Sequence, residues 1–219
     1  MGQEINLLKN YPTTKRDTSS RANEKTEKDR IIARKFGKEF FDGDRKHGYG
    51  GFKYMSRFWE PVVPTFKKHW NLNSSSSLLD VGCAKGFMLY DFKRLIPGIS
   101  LTGIDISEYA IENTLTEVRD NVKVADAKLL PFEDKSFDAV ISINTIHNLE
   151  IDECAQALGE IERVSRGKSF ITVDAFRDSD EEKRMFDWNL TAKTILSVED
   201  WLKLFKDVGY TGDYYWFIP

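Results

Sequence analysis

From residue 78 onward, short apolar runs alternate with longer stretches in which apolar residues recur every three or four positions. A run of four to eight apolar residues between turn signals reads as a buried strand, and the 3.6-residue recurrence reads as a helix. On this basis strands are predicted at Leu78–Val81, Ser100–Asp105, Val122–Ala125, Phe137–Ile143, Lys168–Ala175 and Tyr210–Ile218. Helices are predicted between them, over Phe87–Ile96, Ser107 to Arg119, Asp152–Ser165 and Ser197 to Val208. Ser107 is placed to cap the second of these, and Ser197-Val198-Glu199-Asp200 has capping-box spacing at the start of the last. Strand–helix alternation with short connections predicts an α/β fold with a doubly wound, mostly parallel sheet of six or seven strands, covered on both faces. Ligands of such sheets sit beyond the carboxyl ends of the strands, where strand order reverses.

The first third of the chain reads differently. Residues 1–25 are polar, with Pro12 and scattered charge, and are expected to form a flexible basic arm. Residues 26–77 are expected to form a helical extension or lid, with one helix over Glu27–Phe41 and a second over Phe58–Trp70. Between them lies Arg45-Lys46-His47-Gly48-Tyr49-Gly50-Gly51, a glycine-dense loop carrying charge and an aromatic ring. The remaining 78–219 is then the ligand-binding domain.

Composition narrows the function classes. The 219 residues are 41% apolar, enough to bury about 70% of the unfolded surface. There is neither a run of 18 apolar residues nor the apolar stretch of a secretory signal, so a cytoplasmic protein without membrane attachment is expected. Two cysteines supply neither a disulfide framework nor a four-ligand zinc site, and no metal is expected. Net charge is −3, but residues 1–46 carry 12 Lys+Arg against 8 Asp+Glu, leaving −7 on the rest. The acidic body argues against nucleic acid as a partner.

The predicted strand ends carry the candidate chemistry. Gly82, directly after the first strand, allows a tight turn and close approach to a ligand, and the helix opening at Gly86 presents free amides to the same place. Asp105 closes the second strand 23 residues later, where a carboxylate can accept from a ribose diol. The dinucleotide fingerprint fails, however. Its second glycine is Ala84 and its third position is Phe87, so a ligand with an adenosine and no pyrophosphate is favoured over NAD.

Leu-Leu-Asp-Val-Gly-Cys-Ala-Lys-Gly at 78–86 resembles the first motif of the class I S-adenosylmethionine-dependent methyltransferases. Leu-Thr-Gly-Ile-Asp-Ile-Ser at 101–107, Ala125-Asp126-Ala127 with Leu130-Pro131-Phe132, Phe137-Asp138-Ala139-Val140 and Glu162-Arg163-Val164 continue the likeness in order, over about 78–215. Ala84 stands where the family has its middle glycine, and only one strand is readable where the family has a closing hairpin. A partner strand from a second subunit, and so a homodimer, is one expectation. The resemblance implies the Rossmann-like methyltransferase fold, an enzyme, and S-adenosylmethionine as cofactor. It implies that Gly82, Cys83, Ala84 and Gly86 line the methionine moiety and that Asp80 holds the loop or the cofactor amine. It places Asp105 on the ribose, Ile106 and Ala127 near adenine, Asp126 on the adenine amine and Asn144 near the methionine portion.

His147, after the fourth strand, and Asp174, closing the fifth, are the candidate bases for an acceptor that must lose a proton. Each has a structural alternative: His147 bonding to backbone, Asp174 as a cap. Tyr49, Arg57 and Trp188, in the segments added to the common core, are the candidate acceptor contacts. The acceptor expected is a small molecule, sugar-like among the choices, methylated on O or N. A protein or RNA acceptor, and a non-catalytic cofactor-fold subunit, are the alternatives.

Overall fold

A computed structural model describes residues 2–13, 17–23, 25–50 and 53–219, with the side chains of residues 19, 21 and 23 outside the description. The strands are β1 (Ser77–Val81), β2 (Ser100–Asp105), β3 (Val122–Val124), β4 (Ala139–Ile143), β5 (Ser169–Phe176), β6 (Leu196–Ser197) and β7 (Asp213–Phe217). The helices are α1 (Thr18–Asn23), α2 (Glu27–Ala33), α3 (Lys38–Asp42), α4 (Ser56–Trp59), α5 (Val63–Trp70), α6 (Phe87–Leu95), α7 (Glu108–Glu112), α8 (Ile151–Val164), α9 (Ser179–Trp188) and α10 (Val198–Asp207).

Strand order is β3-β2-β1-β4-β5, with β7 and the two-residue β6 both paired to β5, and every pair is parallel. The order reverses between β1 and β4, so the site falls at their carboxyl ends. Period-2 alternation sends neighbouring residues into separate cores. Leu79, Val140 and Ile171 pack with Trp201 and Phe205 of α10. Leu78, Ile141 and Phe170 pack on the other face with Phe66 of α5 and Phe92 of α6.

No closing hairpin is present among the described residues. β7 runs parallel to β5, with Phe170 opposite Asp213. Its outer edge is occupied by this chain's own N-terminal segment: Ile5 donates to the Tyr214 carbonyl at 2.9 Å, and Glu4 bridges Tyr214 in parallel. The expectation of a free arm over 1–25 is corrected by these bonds, by the burial of Leu7 and by Lys25. The buried Lys25 ammonium donates to the carbonyls of Asp187, Trp188 and Asn189 at 3.2, 2.6 and 2.8 Å, closing the C-terminus of α9. Backbone edges and helix ends need partners, and this polar segment supplies them.

The helix expected over Glu27–Phe41 is two helices. Thr26 and Asp29 form a capping box at the start of α2, and Phe36, with φ 48°, breaks the run before Gly37. The helix expected to reach Arg119 stops at Glu112 and is followed by a 3-10 stretch over Thr116–Asn121.

Candidate functional site at the carboxyl ends of the strands

The loop after β1 is built around one carbonyl. The amides of Gly82 and Cys83 both donate to the oxygen of Ile104 on β2, at 2.8 and 2.9 Å. Gly82 has φ 86°, and a Cβ there would stand 2.1 Å from Thr145 Oγ1 in the loop after β4. Only glycine lets these two loops meet so closely. Ala84 also lies in the left-handed region, at φ 48°, a position that strains an L-residue by roughly 1 kcal/mol. Gly86, at φ 74°, caps α6.

This loop, with Trp59 of α4, Phe87 and Met88 of α6 and Ile143 of β4, bounds a cavity of about 180 Å³. Asp80 reaches it from β1 while only 3% exposed. Among the described residues it meets no cation. Burial, and then the Asp105 carboxylate, push it up to about 8. Cys83 is a buried wall residue whose thiol is pushed well up by burial, and then by the carboxylates of Asp80 and Asp105. That makes it a poor nucleophile.

Asp105 holds two loops together: Oδ2 accepts the Ala84 amide at 2.8 Å and Oδ1 accepts the Ser107 amide at 2.9 Å. Its pKa is nevertheless raised, since burial outweighs these amides. Each oxygen keeps lone-pair capacity for a further donor. Ile106, beside it, is 56% exposed, which leaves an apolar surface facing outward next to an acid. At the end of β3, Asp126 accepts the Lys128 amide through Oδ1 at 2.9 Å, and Ala127 is half-buried. The loop that follows is clamped by Arg163 of α8, which donates to the carbonyls of Leu130 and Phe132 and to the carboxylates of Asp134 and Glu160. Asn144, at the end of β4, is left-handed (φ 53°), and Thr172 donates to its Oδ1 at 2.8 Å.

His147 follows its structural alternative. The Asp174 amide donates to its Nδ1 at 2.9 Å, so that lone pair is committed and the neutral ring carries its proton on Nε2. Nε2 lies 3.5 Å from Asp174 Oδ1. Burial holds the imidazole pKa down to about 3. A ring in this state has no free lone pair with which to accept a proton, which corrects its assignment as a base. The ring instead fixes the end of β5, where the Asp174 carbonyl also accepts the Trp201 indole N–H at 2.9 Å.

Tyr49 and Trp188 do come together, stacked with centroids 5.9 Å apart at 26°. Leu190 donates its amide to the Tyr49 hydroxyl at 3.1 Å, and the Trp188 and Phe217 rings are 6.3 Å apart. The phenol pKa is raised by burial and then by the Asp174 carboxylate. Arg57 is placed apart from this group, exposed on α4 with its guanidinium 4.9 Å from the centre of the Phe58 ring. Gly51, in the glycine-dense loop, lies outside the described residues.

Sequence reasoning gave no site role to Lys85, Asp42, Thr145 or Tyr109. Lys85 lies inside the first motif, and its ammonium meets Asp42 of α3 at 2.6 Å. No spacing rule joins residues 43 positions apart.

Residues 79–173 match a family described as a methyltransferase domain. A tRNA (carboxymethyluridine(34)-5-O)-methyltransferase of Arabidopsis thaliana is 30% identical over 166 residues, covering 68% of this chain and 39% of that protein. A demethylmenaquinone methyltransferase of Roseiflexus sp. (strain RS-1) is 32% identical over 96 residues, covering 42% of this chain and 40% of its own. The chain therefore spans less than half the length of these curated relatives. Among solved structures, the YcgJ protein of Bacillus subtilis has a TM-score of 0.55 at 18% identity, over 67% of this chain and 66% of that one. The [4+2]-cyclase SpnF has a TM-score of 0.57 at 22% identity, over 73% and 60%. These two share the fold.

Proposed function

Because the chain belongs to the class I S-adenosylmethionine-dependent methyltransferases, we propose that it transfers a methyl group to an oxygen or nitrogen of a small-molecule acceptor, a sugar-like compound among the candidates. The observation that supports the cofactor part of this reading is Asp80, a buried carboxylate at the wall of the cavity after β1 that pairs with no cation among the described residues. A cofactor bearing an ammonium group and an adenosine suits this set of residues. Asp80 takes the ammonium, Asp105 takes the ribose hydroxyls through its remaining lone pairs, Ile106 and Ala127 flank adenine, and Asp126 accepts from the adenine amine. Gly82, Cys83, Ala84 and Gly86 shape the methionine end, with Asn144 at its border.

When bound, S-adenosylmethionine supplies a methyl group on a sulfonium, already a good leaving group. The protein's contribution is therefore mainly positioning. Trp59, Phe87 and Met88 exclude water beside the first loop. Tyr49 and Trp188 form an aromatic wall on the acceptor side. Asp174, whose carboxylate lies 3.5 Å from His147 Nε2, is the candidate base where the acceptor must lose a proton. Arg57 is an outer contact for an anionic substituent.

A second reading, an RNA acceptor, draws on the tRNA-modifying relative and on the +4 balance of residues 1–46. Release of S-adenosylhomocysteine, measured with panels of hydroxylated and amine small molecules and with bulk tRNA, separates the two. Turnover with small acceptors supports the first reading, and turnover with tRNA alone replaces it with the second. No turnover with any of them, in a protein that binds the cofactor, would favour a non-catalytic module.

A further inference from the structure

One carboxylate ties both cofactor-facing loops to the N-terminal extension. Asp42, the last residue of α3, receives the Lys85 ammonium on both oxygens at 2.6 Å. It also accepts the Tyr109 hydroxyl on Oδ2 at 2.7 Å. Lys85 belongs to the loop after β1 and Tyr109 to α7, directly after the loop that follows β2. Lys85 is only 6% exposed while Asp42 faces solvent, so the pair is shielded on its lysine side and bidentate in geometry, unlike an ordinary surface pair, whose worth is small. A second attachment lies one helix back. Ser107, whose amide is held by Asp105, donates its hydroxyl to the Phe36 carbonyl at 2.5 Å. Phe36 presents that carbonyl from a left-handed backbone (φ 48°), a conformation a bulky residue keeps only when its surroundings impose it. The segment 36–42 thus spans the two loops, with a strained residue at one end and a chelating carboxylate at the other.

We propose that Asp42 is a positioning residue for the cofactor: it sets the spacing of the loops after β1 and β2, so that docking of the extension and binding of the cofactor reinforce each other. This rests on the reading that these two loops hold S-adenosylmethionine. The coupling is reciprocal by thermodynamic necessity. Bound cofactor must tighten the segment 36–42 by the same factor by which a docked segment tightens the cofactor.

The test uses the full chain, with S-adenosylhomocysteine as the probe. Calorimetry gives its dissociation constant for the wild type, Asp42→Asn and Tyr109→Phe, and amide hydrogen exchange of residues 36–42 is followed with and without it. Asp42→Asn should weaken binding by roughly 10-fold or more, within the usual range for coupled sites, and Tyr109→Phe by less. Ligand-dependent slowing of exchange in 36–42 should be present in the wild type and lost in Asp42→Asn, while exchange in β4 and β5 stays unchanged. A folded Asp42→Asn variant with wild-type affinity and an undiminished exchange response overturns the proposal. A wild type that binds no S-adenosylhomocysteine overturns the cofactor reading instead.

Discussion

Asp80 gives the most quantitative handle on the site. Burial, and then Asp105, raise its pKa in the folded protein to about 8 from the ordinary aspartate value of 3.8. Because the folded value is the higher one, the folded state binds more protons than the unfolded state between these two pH values. Its favourable contribution is therefore complete below pH 3.8 and is lost as pH rises through 8. Each pKa unit is 1.36 kcal/mol, so between pH 5 and pH 8 the ligand-free protein should lose about 4 kcal/mol through this one group. Asp80→Asn keeps the shape and removes the titration. Urea unfolding of the ligand-free wild type and variant at pH 5, 6.5 and 8 should show their difference in unfolding free energy moving by about 4 kcal/mol in the variant's favour. Asp105 titrates in both proteins and largely cancels from that difference. Parallel stability profiles, or a wild type gaining stability toward pH 8 relative to the variant, would refute the burial argument. Saturating S-adenosylhomocysteine should flatten the wild-type profile, since an ammonium beside Asp80 favours its charged form.

The other residues of the site give sharper yes-or-no outcomes. Asp105→Ala should abolish cofactor binding in calorimetry and also destabilise the fold by about 1–3 kcal/mol for each amide it leaves unpaired, at Ala84 and Ser107; retained affinity would contradict its role. His147→Ala should lower the unfolding free energy by stranding the Asp174 amide. The wild-type kcat profile should show no inflection between pH 6 and 7, because burial keeps the ring neutral there; an inflection lost in that variant would restore it as a base. Gly82→Ala should cost about 3 kcal/mol or more by thermal unfolding, combining overpacking with left-handed strain, because the added Cβ meets Thr145 Oγ1 at 2.1 Å.

The parallel sheet and the strand-end loops of the candidate site were legible in the sequence, because both rest on local signals. A short apolar run bounded by turns, such as Ala139–Ile143, suits a strand covered on both faces. Glycines and acids at strand ends follow from the geometry of the turn. What was not legible depends on contacts between distant segments. Gln3 to Ile5 look like tail, yet they cover the edge of β7. Ile32, Phe36 and Phe40 share helical spacing, but the carbonyl of Phe36 is drawn out of the helix to Ser107. The state of His147 turned on which group met Nδ1, and that donor is a backbone amide 27 residues away.

The central claim is that the loops after β1, β2 and β3 hold S-adenosylmethionine. Calorimetric titration of the purified full chain with S-adenosylhomocysteine tests it most directly. The account predicts micromolar, one-to-one binding that an excess of NAD does not displace. Absence of binding by a folded protein, or displacement by NAD, would contradict it.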